Sequence, residues 1–89
     1  MAEVIIKRLS EQEISDRGIR EWPIWTKEIS RFGYTYDGDE ECLFIEGEVI
    51  IETRDGNFNI GPGDFVVFRN GLDCVWDVRK PVKKYYNFP

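Results

Sequence analysis

From residue 34 onward, apolar and polar positions follow a strand pattern broken at short intervals by turn residues. Tyr34-Thr35-Tyr36 alternates, and Asp37-Gly38-Asp39 reads as a turn. Cys42-Leu43-Phe44-Ile45 is an apolar strand run closed by Glu46-Gly47, and Val49-Ile50-Ile51-Glu52-Thr53 is a β-branched strand. Asp55-Gly56 predicts a type I′ hairpin, in which both central residues take positive φ. Phe58-Asn59-Ile60 returns, Gly61-Pro62-Gly63-Asp64 turns again, and Phe65 to Phe68 is the next strand. Asn70-Gly71 predicts another hairpin turn, with a strand from Cys74 to Val78 after it. Pro81 interrupts the pattern, and Val82 to Phe88 is a last extended segment.

The first third is different. Val4-Ile5-Ile6 is a short strand. Ser10-Glu11-Gln12-Glu13 has the form of a capping box, in which serine and glutamate side chains satisfy each other's backbone N–H groups. The box predicts a short helix over 11–17, ending near Gly18, whose freedom at positive φ suits the C′ position. Trp22-Pro23-Ile24-Trp25 is expected as a loop or edge, since proline is excluded from a central strand, leading into a strand over 26–29.

Six or more short strands with turn signals roughly every 8–12 residues predict an all-β sandwich or barrel. At 89 residues the chain is expected to be one domain, 1–89. An aromatic share of 15% is high for that length and points to a compact β core or an aromatic-lined cavity. The net charge of −5 argues against a nucleic-acid binder, which needs a cationic surface to release counterions. Arg79, Lys80, Lys83 and Lys84 form one basic local patch, read as a solvated edge because lysines guard sheet edges against mispairing. No run approaches the roughly 20 apolar residues of a membrane helix, so no membrane partner is expected. The opening MAEVIIKRLSEQE lacks the apolar stretch of a secretory signal. Cys42 and Cys74 form no CxxC pair. A cytoplasmic location, where thiols stay reduced, is the expectation.

The stretch from 34 to 78 resembles a cupin, the small β-barrel or jelly-roll superfamily. The usual first motif is G-x5-H-x-H-x3-E-x6-G, and its second half is present as Glu40, "ECLFIE" and Gly47. The second motif is usually G-x5-P-x-G-x2-H-x3-N. Gly63 opens it, and Gly71 stands at its second glycine. Where the family has its metal-binding histidines, this chain has Tyr34, Tyr36 and Cys74, and it contains no histidine. Arg69 and Val78 replace the motif's proline and asparagine. "EWPIW", the Cys-x-Trp at 74–76 and "VKKYYNF" are similar to the small one-domain cupins grouped with the ureidoglycine aminohydrolase cupin domain and an ethanolamine-utilisation protein. The resemblance implies an all-β cupin barrel or jelly roll of antiparallel strands with one short N-terminal helix. It also implies a cytosolic protein and a homodimer, joined by strand addition through Val4–Ile6 or through Tyr85-Tyr86-Phe88.

Alternation with period two turns the aligned positions into an expected interior. If Glu40 points inward, so do Cys42 and Phe44. If Cys74 does, so does Trp76, and Tyr34 and Tyr36 share one face. The expected ligand pocket is thus Tyr34, Tyr36, Glu40, Cys42, Phe44, Cys74 and Trp76. The catalytic candidates are Glu40 and Cys74. A carboxylate inside an apolar barrel has its pKa raised by desolvation, which suits acid–base work; the alternative is a rigid network with the tyrosines. Cys74 lacks a histidine base to activate it, and a buried free cysteine is commonly a small hydrophobe.

Two functions follow. The first is a cupin that binds a small organic ligand in an aromatic-lined cavity without the histidine metal cage, so that no cofactor is expected. The second is a metal-assisted hydrolase or isomerase of a small metabolite, holding a divalent metal through Glu40 and Cys74. The lack of histidine places the binding module first, since phenols and thiols must lose protons to bind a metal.

Overall fold

The computed structural model describes residues 3–89, so the first two residues of the expected 1–89 domain lie outside the described part. Seven strands and one helix follow in order: β1 Val4–Lys7, α1 Glu11–Asp16, β2 Ile24–Lys27, β3 Ser30–Thr35, β4 Glu40–Thr53, β5 Gly56–Ile60, β6 Phe65–Phe68 and β7 Asp73–Asn87. Every pairing is antiparallel. The capping box forms as the sequence predicts: Glu13 N–H donates to Ser10 Oγ and Ser10 N–H to Glu13 Oε1. Gly18 then takes φ 65° beyond the C-cap Arg17, before a 3-10 turn at Ile19–Glu21.

The two long strands organise the molecule. The first part of β4 lies between β6 and the second part of β7, and its later part lies between β5 and the first part of β7. β7 likewise takes β3 beside its first part and β2 beside its second. One half is therefore ordered β1-β6-β4-β7-β2 and the other β5-β4-β7-β3. The sheet does not close into a hydrogen-bonded barrel; it doubles over as a jelly roll.

The sequence pattern splits β4 at Gly47 and β7 at Pro81, but both strands run through. The ladder between them is irregular there, with register shifts from Phe44 to Val49. Proline has no N–H to donate, and a bulge is where a strand tolerates it. Gly47 sits at φ 97°, and a Cβ on it would lie 2.2 Å from the Pro81 carbonyl oxygen. The glycine and the proline thus meet at the bend, and neither ends its strand.

Two further expectations shift. No residue other than glycine has positive φ among the described residues, so Asp55-Gly56 makes no type I′ turn. Asn70-Gly71 does turn the chain, but it joins β6 to β7, which pair with β4 and not with each other, so it is no hairpin. Thr53 pairs with Gly56, leaving Arg54-Asp55 as the loop, and Thr53 Oγ1 accepts the Asp55 N–H. The strand after Pro23 begins at Ile24 rather than Thr26 and stops at Lys27.

Core residues from both halves meet between the layers. Cys42, Phe44, Val66, Phe68 and Val82 come from one half; Ile51, Ile60, Cys74, Trp76 and Val78 come from the other. On the outside of the first half, Leu43 and Phe65 pack under Ile14 and Ile19, so the helix covers a second apolar face. β1 pairs with β6 alone and ends that half. Tyr85 and Tyr86 lie in β7, flanked by β2 and β4, so of the two contacts expected for a dimer, β1 has the free edge.

Candidate functional site

At one end the layers part around a cavity of about 240 Å³. β2 supplies Trp25 to its wall, β3 supplies Phe32 and Tyr34, and Tyr36 follows just past β3. β4 contributes Glu40, and β7 contributes Trp76, Lys84 and Tyr86, with Phe88 beyond its end. Strand register explains the grouping. Lys84 is the cross-strand partner of both Trp25 and Phe44. Trp76 is the partner of Phe32 in the other half.

The rings form a connected set. Trp25 meets Trp76 edge-on at 5.6 Å, and Phe32 stacks on Trp76 at 6.0 Å. Tyr36 stacks on Phe68 at 5.0 Å and meets Tyr34 edge-on at 4.6 Å. Offset and edge contacts of this kind contribute about 0.5–1.5 kcal/mol each beyond burial.

Lys84 is the residue the sequence reading misplaced. It is only 3% exposed, so it is not part of a solvated edge. Arg79, Lys80 and Lys83 do face solvent, beside Asp77, Glu48 and Glu46. The Lys84 ammonium donates to Glu40 Oε2 at 3.1 Å and to Cys42 Sγ at 3.2 Å. Its nitrogen lies 4.8 Å from the Trp76 ring centroid and 4.9 Å from that of Trp25. A buried ammonium needs such company: a paired carboxylate offsets the loss of water, and the ring faces add an attraction of about 0.5–2 kcal/mol each. The signal was available, because Val82-Lys83-Lys84 continues the alternation and puts Lys84 on the inward face with Val82.

The expected pocket residues divide. Tyr34, Tyr36, Glu40 and Trp76 line the cavity. Cys42 and Phe44 lie behind it in the core, with Lys84 against both. Cys74 is buried but off the cavity wall, and its thiol donates to the Tyr34 carbonyl at 3.5 Å. Trp25, Phe32, Lys84, Tyr86 and Phe88 complete the wall and were not in the sequence-based set.

The donor set does not fit a metal. Burial pushes the Tyr36 phenol far up, with the Glu40 carboxylate adding to it. Burial, with Asp73 next, pushes the Cys74 thiol up to about 11. Cys42 is pushed up to about 12 by burial, in spite of the opposing Lys84 charge. Tyr34 is 44% exposed. Glu40, the remaining motif residue, already has a cation on it. Among the described residues, no three His, Cys, Asp or Glu side chains converge as a metal site would need.

A doubled antiparallel jelly roll carrying the Glu40–Gly47 and Gly63–Cys74 motifs is a cupin. The chain belongs to the EutQ-like cupin domain family, whose sequence model matches residues 14–86. It is similar to the crystal structure of a DUF861 family protein from Thermotoga maritima, with 41% identity and a TM-score of 0.94 over 98% of this chain and 100% of that one. A DUF861 family protein from Pseudomonas syringae pv. tomato shares 25% identity at a TM-score of 0.65, over 71% of this chain and 28% of that one. The EutQ protein of Clostridium difficile shares the fold at 18% identity and a TM-score of 0.67, over 99% of this chain and 69% of that one. A search of curated proteins returned no match.

Proposed function

We propose that this cupin binds a small, uncharged organic molecule in the aromatic cavity, with the Lys84–Glu40 pair as its polar floor and without a metal. The observation that carries the reading is the pair itself: the carboxylate of the cupin motif is held by an internal ammonium. The cavity, at about 240 Å³, falls below the roughly 300–1,000 Å³ that suits drug-sized ligands, so the ligand is a small metabolite. Stacked rings supply the apolar contact, and Glu40, Lys84 and the tyrosine hydroxyls supply orientation. The metal-assisted alternative through Glu40 and Cys74 has no comparable support, since the one is paired and the other faces a backbone carbonyl.

A thermal-shift screen of small uncharged aromatic and aliphatic compounds tests the reading. A true ligand at 100 times its Kd stabilises the folded chain by about 2.7 kcal/mol. That shift should vanish in Trp25→Ala, which removes one wall. A ligand whose shift survives in Trp25→Ala binds elsewhere and contradicts the proposal.

A further inference from the structure

We propose that Lys84 forms a reversible imine with a small aldehyde or ketone held in this cavity, and that Glu40 moves the protons. The inference rests on the binding reading above and names the ligand class. Four observations converge on it. Lys84 is a primary amine on the wall of a cavity. Its nitrogen is buried among two tryptophan faces. Glu40 Oε2 stands 3.1 Å from that nitrogen. No histidine is present to serve as a base instead.

Charge narrows the ligand. The ammonium is already neutralised by Glu40, so an anionic ligand would compete with Glu40 and be repelled by it. A cationic ligand would meet the ammonium in a site with little water. An uncharged ligand fits, and the uncharged group with which a primary amine bonds covalently is the carbonyl. A buried lysine among apolar walls is the residue type that performs this step. A buried ion pair is, moreover, a weak stabilising device compared with packed apolar residues, so a structural role alone explains its placement on a cavity wall poorly.

The step balances without a redox partner. The Lys84 ammonium passes a proton to the Glu40 carboxylate, and the free amine attacks the carbonyl carbon. The N–C bond forms as the C=O π pair moves to oxygen. That oxygen takes up the amine proton and the proton held by Glu40 and leaves as water, giving the C=N bond. Glu40 ends as a carboxylate beside the protonated imine, and water addition reverses the sequence.

The test uses benzaldehyde as the carbonyl probe, benzyl alcohol as its counterpart without a carbonyl, and borohydride to reduce any imine to a stable amine. Fragmentation of the labelled peptide distinguishes Lys84 from its half-buried neighbour Lys83, whose side chain reaches solvent. The expected result is labelling of Lys84 at least tenfold faster than Lys83, none at that position in Lys84→Met, and a slowing of about 100-fold in Glu40→Gln, the loss typical of removing a general acid–base group. Glu40→Gln keeps the amine and so serves even where Lys84→Met fails to fold. Labelling confined to exposed lysines, with Lys84 spared, overturns the inference. If benzyl alcohol still quenches tryptophan fluorescence saturably in that case, the binding reading stands; if neither compound does, both fall together.

Discussion

Lys84 and Glu40 come from β7 and β4 and form a buried ion pair, 3.1 Å apart, inside a ring of aromatic side chains. The pair occupies the part of the fold where a cupin motif carboxylate would face a metal. Removing one partner leaves the other charged and out of water. Lys84→Ala and Glu40→Ala should each cost about 3–5 kcal/mol, read as lower urea midpoints with an unchanged slope. The double substitution Lys84→Met with Glu40→Leu should recover most of that loss while abolishing ligand binding. A double variant as unstable as the single ones would mean that the pair itself, rather than the orphaned charge, sets the cost.

The bend at Gly47 is a second point of sensitivity. An added Cβ there would overlap the Pro81 carbonyl, on a backbone at φ 97° that side chains resist. Gly47→Ala should cost about 2–4 kcal/mol from strain and clash together. Gly38→Ala also falls at positive φ, but its Cβ meets nothing within 4 Å, so it should cost about 1–2 kcal/mol. Chemical denaturation of the two variants side by side measures the difference.

The thiols give a pH signature. Both cysteines have raised pKa values, Cys42 to about 12 and Cys74 to about 11, with burial the first cause in each. A group whose folded pKa is raised gives stability that is present below its unfolded pKa, near 9, and is lost as pH rises through the folded value. Stability should therefore fall between about pH 9 and 12. Replacing Cys42 by alanine should lower stability at neutral pH yet flatten the alkaline slope. At pH 8 neither thiol should react with a thiol reagent until the protein is unfolded, since the thiolate is the reactive form.

β1 leaves one edge unpaired among the described residues, and Ile6 there is 37% exposed. A homodimer formed by β1 meeting its counterpart satisfies that edge. Light scattering should give twice the 10.5 kDa chain mass, and Ile6→Lys should shift the population to monomer. A monomer at every concentration would contradict the expected strand addition.

Much of the architecture was legible because it rests on local signals. The capping box at Ser10–Glu13, the alternation Glu40-Cys42-Phe44 and the inward pair Cys74-Trp76 each follow from a short pattern. What was not legible depends on distant contacts. Gly47 and Pro81 read as strand breaks until the chain brings them face to face. Asp55-Gly56 reads as a type I′ turn until the register of Thr53 with Gly56 moves the loop back by one residue. Alternation with Val82 puts Lys84 on the inward face, yet lysine is costly to bury, and only Glu40 and Cys42 on β4, Trp25 on β2 and the distant Trp76 of its own strand remove that cost. Trp25 and Phe32 join the cavity through cross-strand pairing with β7, which no local pattern announces.

On the function proposed above, an internal ammonium rather than a metal holds the cupin carboxylate. Elemental analysis of the purified, untagged protein tests it most directly. Transition-metal and zinc content should be far below one atom per chain, unchanged in Glu40→Gln and in Cys74→Ser. One zinc or iron per chain, released by either substitution, would contradict it.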